Sequence, residues 1–148
     1  MDPAPRASFF SERINFFEKT IQSVDLKKLP ELNEGDFLII DSSHIAVSGS
    51  DVDTIVNQIL PNLSKGVFVH FHDIFLPDHY PSNWKWREYN EQLVISSLLL
   101  GGRFEPIFSS HFVRLYLKES LKQHGLCWIP VLPGAIESSL WIEVSGGK

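Results

Sequence analysis

One stretch constrains the fold more than any other: Gly35 to Phe75, which reads as strand, polar turn, amphipathic helix, strand and polar turn. Phe37-Leu38-Ile39-Ile40 runs into Asp41-Ser42-Ser43-His44, and Val67-Phe68-Val69-His70-Phe71 runs into His72-Asp73. Between them Val52, Ile55, Val56, Ile59, Leu60 and Leu63 recur at helical spacing. Two apolar strands joined by one helix form a βαβ unit, and such units build parallel sheets. In open α/β sheets ligands bind at the carboxyl edge, which points to Asp41, His44, His72 and Asp73.

The chain has 148 residues, which predicts one domain over 1–148. A hydrophobic fraction of 43% against 21% charged residues is enough to bury a core. The net charge of −5 argues against a nucleic-acid backbone as partner, because phosphate binding needs a basic face. No apolar run reaches the roughly 18 residues of a membrane span, and no signal peptide is visible. The lone Cys127 cannot form an internal disulfide, so a reducing, cytoplasmic setting is expected.

Ala7 to Arg13 reads as a helical turn and Ile14 to Glu18 as a short strand, followed by a brief helix at Leu26 to Leu29 that Pro30 ends. Ser50 is the expected N-cap of the helix over 51–63, with Asp53 three residues on; Pro61 should disturb its end and Gly66 suits a left-handed exit. The loop from Ile74 to Lys85 is rich in aromatic residues. Tyr80, Trp84 and Trp86 fit either a substrate wall or a lid over the sheet edge. A helix is predicted from Trp86 to Leu100, a strand with an edge or bulge at Pro106 over 104–109, a helix over 111–124 closed by Gly125, and a last strand over 140–144. Asn90-Glu91-Gln92 reads as ordinary helix-start polarity, and Cys127 lacks a nearby base.

Two constellations carry chemistry. Asp41 either faces a ligand, with His44 as base or ligand, or caps the turn and leaves His44 exposed. In His70-x-His72-Asp73, His70 shares a strand face with Phe68 and reads as a packed core residue, whereas His72 and Asp73 lie beyond the strand end. Read alone, His-x-His fits a metal-dependent hydrolase, but no third histidine or cysteine follows at ligand spacing.

Gly35 to His44, Gly49-Ser50-Asp51-Val52, Leu60-Pro61, Gly66 to Phe75, Tyr80-Pro81, Trp84 and Asn90-Glu91-Gln92 together resemble the class I S-adenosylmethionine-dependent methyltransferases, in a bacterial small-molecule subgroup. The resemblance implies an α/β, Rossmann-like three-layer sandwich with a mostly parallel sheet in the order 3-2-1-4-5-7-6 and an antiparallel last strand. Phe37 to Ile40 is then strand four, Val67 to Phe71 strand five, Phe104 to Ser109 strand six, Leu140 to Val144 strand seven and Ile14 to Glu18 strand three. By the same resemblance Asp2 falls where the family binds the cofactor ribose, Asp25 near the adenine and Asp41 at the cofactor edge. The family's glycine-rich turn after strand one has no counterpart here, so the resemblance implies an N-terminally truncated domain that is inactive alone.

The activity implied is O- or N-methylation of a small molecule, with His72, His44 and Asp73 as catalytic candidates. Some family members hold a divalent cation with acids at these two strand ends, which would assign Mg²⁺ to Asp41 and Asp73. The rival readings are a non-catalytic α/β binding or assembly module and the less favoured hydrolase. Absent strands would leave the strand-four edge open, to be covered by a second copy of the chain or by Ile14–Glu18.

Overall fold

The computed structural model describes residues 1–6, 13–125, 128 and 132–146. The expected turn at Ala7 to Arg13 and Cys127 fall largely or wholly outside the described residues. Among the described residues four strands form one open mixed sheet: β1 (Phe37–Ile40), β2 (Phe68–Phe71), β3 (Phe104–Ser109) and β4 (Leu140–Val144), in the order β1-β2-β4-β3. β1 and β2 are parallel, with Phe37 opposite Phe68 and Ile40 opposite Phe71. β4 runs antiparallel to β2, and β3 antiparallel to β4. The register slips between Pro106 and Phe108, so the proline sits on an edge strand beside a bulge, where its missing donor is tolerated.

The βα crossover starts as expected. Ser50 accepts a hydrogen bond from the Asp53 amide at 3.1 Å, and Asp53 accepts from the Gly49 amide at 2.7 Å. The helix over 51–63 is not uniform, however. α1 (Asp51–Thr54) passes into a π-helical turn, Ile55–Ile59, and then a 3-10 turn, Leu60–Asn62. Pro61 cannot donate to the i−4 carbonyl and its ring crowds it, so the ladder changes pitch where proline enters. Gly66 then takes φ +80°, the left-handed exit.

Alternation decides which face is covered. Ile40, Val69, Phe71, Leu140, Ile142 and Val144 are buried beneath Ile55, Leu60 and Ile95. The opposite face carries Phe37, Phe68, His70 and Trp141, with the Phe37 ring 5.3 Å from Phe68 and 5.9 Å from Trp141. At the β1 edge Phe37 and Ile39 remain 59% and 66% exposed.

Three expected elements differ. Residues 14–18 form no strand and β1 has no partner on its outer edge among the described residues, so this segment does not fill the gap. An aromatic run becomes a strand only where a ladder accepts it. The helix foreseen from Trp86 is instead a 3-10 turn, Ser82–Arg87, and a separate α2, Glu91–Leu100. Glu88 between them has φ +55°, which ends any right-handed run. The segment over 111–124 divides into α3 (Ser110–Tyr116) and α4 (Lys118–Gln123), broken at Leu117.

Candidate functional site

The carboxyl ends of β1 and β2 bring Asp41, His44, His72 and Asp73 into one cluster. His44 Nε2 lies 3.6 Å from Asp41 and 3.8 Å from Asp73; His72 Nδ1 lies 3.7 Å from Asp41 and 3.1 Å from Asp73. The two imidazoles thus stand between the two carboxylates. His44 and Asp73 both have left-handed backbone, at φ +61° and +56°, which turns each side chain back over the sheet edge.

The residues differ sharply in access. His44 is buried, with a side chain 4% exposed, whereas His72 is 48% exposed and Asp41 71%. The reading in which Asp41 caps a turn and His44 is exposed is therefore overturned for His44. Its carbonyl accepts from the amides of Asn90 and Glu91, and the Ala46 amide donates to Asn90 Oδ1 at 2.6 Å. The β1 loop is thereby fastened to the start of α2, and Glu91 is carried inward.

Glu91 is the residue that sequence reasoning missed. It is 1% exposed, accepts from Ser42 Oγ at 2.9 Å and meets His44 Nδ1 at 2.8 Å. A carboxylate only accepts, so His44 Nδ1 carries the proton. Burial pulls the His44 pKa down, but the hydrogen bond and charge of Glu91, with the charges of Asp73 and Asp41, outweigh it and raise the net value. His44 is thus a buried imidazole whose charged form is favoured by the carboxylates of Glu91, Asp73 and Asp41.

Asp73 accepts from Ser138 Oγ at 2.9 Å, and the Ile74 amide donates to the Ser138 carbonyl, so the segment before β4 holds the acid in place. Gln92, also buried, accepts from the Phe75 amide and donates to the Asp78 carbonyl, tying the 74–85 loop to α2. Above it Tyr80, Trp84 and His111 surround the Phe75 ring, and Tyr89 lies 4.5 Å from His44. Tyr80 is half-buried beside the site, and desolvation, with Glu91 and Asp73 nearby, pushes its hydroxyl pKa to about 12. Trp86, 77% exposed, does not pack as a lid over the sheet edge.

His70 is buried against Trp141 at 4.7 Å between rings, as a packed residue should be; its Nδ1 has no hydrogen-bond partner among the described residues. Burial, then the neighbouring His72, lower its pKa against a smaller opposing effect of Asp41.

Asp2 and Asp25 do not join the cluster. Asp2 accepts from the Ala4 amide and Asp25 caps the 3-10 turn Leu26–Lys28, both within their own loops. Among the described residues no three His, Cys, Asp or Glu side chains are arranged to hold a metal ion. A histidine nitrogen rather than a third oxygen ligand stands by Asp41 and Asp73, so the donor set does not fit the Mg²⁺ that the resemblance implied, nor a hydrolase centre at His70 and His72. A groove of about 310 Å³ lined by Ala46, Val52, Val56 and Val94 lies beside α1 and does not include the four clustered residues.

No protein-family model, curated protein or solved structure matches the chain. Among the described residues no helix is long and apolar enough to cross a membrane.

Proposed function

We propose that the chain carries the acceptor side of an S-adenosylmethionine-dependent small-molecule methyltransferase, with His72 as the base that deprotonates an oxygen or nitrogen acceptor. One observation carries the reading. The sheet order β1-β2-β4-β3, with β1 and β2 parallel and β4 and β3 antiparallel to their neighbours, agrees with the 4-5-7-6 run expected from the class I order. The acid–imidazole cluster stands on the carboxyl edge of the two parallel strands. On this reading the sheet belongs to a Rossmann-like three-layer fold.

His72 has the attributes of a base. Its Nδ1 lies 3.1 Å from Asp73 Oδ1, so the carboxylate favours the proton on Nδ1 and leaves Nε2 to accept one. Asp73, held by Ser138, stabilises the imidazolium that forms. His44 keeps the two acids together without itself meeting the acceptor. S-adenosylmethionine, when bound, supplies an electrophilic methyl group. The cofactor side fits poorly: Asp2 and Asp25 are engaged locally and among the described residues no glycine-rich turn follows a strand, so the cofactor should bind weakly.

That local engagement favours a second reading, a non-catalytic binding or assembly module. Amide-resolved NMR titration with S-adenosylmethionine separates the two. Weak, saturable shifts centred on residues 41–44 and 72–73 support the methyltransferase; no shift there at several millimolar cofactor supports the module. A submicromolar dissociation constant, about −8 kcal/mol or better, would overturn the view that the cofactor side is incomplete. We assign the open β1 edge to a second copy of the chain, so that the working unit is a homo-oligomer.

A further inference from the structure

We propose that Arg87 is an oxyanion receptor beside the site, so that the small molecule handled there carries a carboxylate or phosphate as well as its acceptor group. The chemistry at the acceptor rests on the methyltransferase reading; the anion binding does not.

The guanidinium of Arg87 is fixed by rings rather than by acids. Its carbon lies 4.2 Å from the Trp84 ring centroid and 5.3 Å from those of Trp86 and Tyr89, and Nη1 donates to the Tyr89 hydroxyl at 2.9 Å. Among the described residues no carboxylate lies within ion-pairing distance of it, and its buried Nε has no hydrogen-bond partner. The chain has 18 acidic residues against 13 lysines and arginines, so an unpaired guanidinium is not explained by a shortage of acids. A planar guanidinium oriented in advance, with its Nη donors spent only on Tyr89 among the described residues, matches the two oxygens of a carboxylate or phosphate.

Its position ties it to the cluster. The Tyr89 ring that orients Arg87 lies 4.5 Å from the His44 ring, and His44 in turn faces Asp41 and Asp73. Glu88, at φ +55°, makes the tight turn that places Arg87 and Tyr89 together. Trp84 rests edge-on at 5.3 Å against the buried Phe75, so the receptor stands on the core. An anion approaching Asp41 and Asp73 would be repelled unless a cation held its charged end. Arg87 supplies that cation one tyrosine away.

The test is NMR titration of the whole chain, following the Arg87 Nε–H and Trp84 indole signals, with benzoate, phenyl phosphate, inorganic phosphate and neutral benzyl alcohol as probes. Expected are saturable shifts with benzoate or phenyl phosphate, none with benzyl alcohol, and affinity at least tenfold weaker in Arg87→Gln. Preference for benzoate over both phosphates identifies a carboxylate; the reverse identifies a phosphate. Arg87→Lys keeps the charge but loses the fork and should bind at an intermediate level, which also covers loosening of the loop in the glutamine variant. No saturable shift with either aromatic anion, or equal affinity in Arg87→Gln and the parent, overturns the proposal. No cofactor is present in these titrations, so their failure leaves methyl transfer standing, and loss of cofactor binding leaves this result intact.

Discussion

His44 Nδ1 donates to Glu91 over 2.8 Å in a place where the glutamate is 1% exposed. A strand-end histidine and a helix-start glutamate, 47 residues apart, are therefore one electrostatic unit. Glu91→Gln should lower the His44 titration midpoint, seen in imidazole NMR. It should also destabilise the chain by about 2 kcal/mol or more, because it weakens a buried charge-assisted bond. An unchanged midpoint would mean that Glu91 does not hold the proton on His44.

The pair was hidden in the sequence for a physical reason. An acid in the first turn of a helix is favoured by the helix dipole wherever the helix lies, so Glu91 carried no distinguishing mark. Only the bonds from the Asn90 and Glu91 amides to the His44 carbonyl turn that acid inward. By contrast β1, β2 and β4 were legible, since aliphatic and aromatic runs bounded by turn residues have few other uses. Ser50, Pro106 and Gly66 were legible too, because each acts through its own backbone chemistry. Ile14 to Glu18 misled because an apolar run lacks the partner that makes it a strand. Asp41, His44, His72 and Asp73 were placed together by the strand ends alone; which of them is buried was decided by α2.

Stability should fall on the alkaline side. The His44 pKa is raised above its ordinary 6.5 in the folded chain. Its contribution is therefore complete below about 6.5 and lost as pH rises through the folded value. His70 works in the opposite sense: its pKa is lowered, so its contribution is complete above 6.5 and lost as pH falls through the folded value. Urea midpoints measured from acid to alkaline pH should decline above neutrality, and Glu91→Gln should flatten that decline. A midpoint that climbs with pH above neutrality would contradict this assignment.

Gly66→Ala should be costly although the residue is on a turn. At φ +80° an added Cβ would stand 2.6 Å from Glu34 Cγ and 3.3 Å from the Glu34 Cα. The side chain can swing away, but the backbone conformation remains unfavourable for alanine, so a loss of about 1–2 kcal/mol is expected in chemical denaturation. A neutral result would show that the turn before β2 can rearrange.

Ile39→Lys tests the open edge. Ile39 is 66% exposed on a strand whose outer side has no partner among the described residues. Charge on such an edge opposes strand addition. Light scattering should report an oligomer for the parent chain and a smaller species for the variant. A parent that is monomeric at high concentration removes the second copy from the account.

The backbone at His44 and Asp73 sits in the left-handed region, which ordinary L-residues enter at a cost of about 1–2 kcal/mol each and glycine enters freely. Under selection for persistence alone, both positions should drift to glycine or asparagine within few generations of a mutational library. Under selection for what the cluster does, they should stay fixed while the surrounding surface varies. The two regimes diverge at two codons, which lets a library sorted first for folding and then for ligand binding read purpose directly from sequence counts.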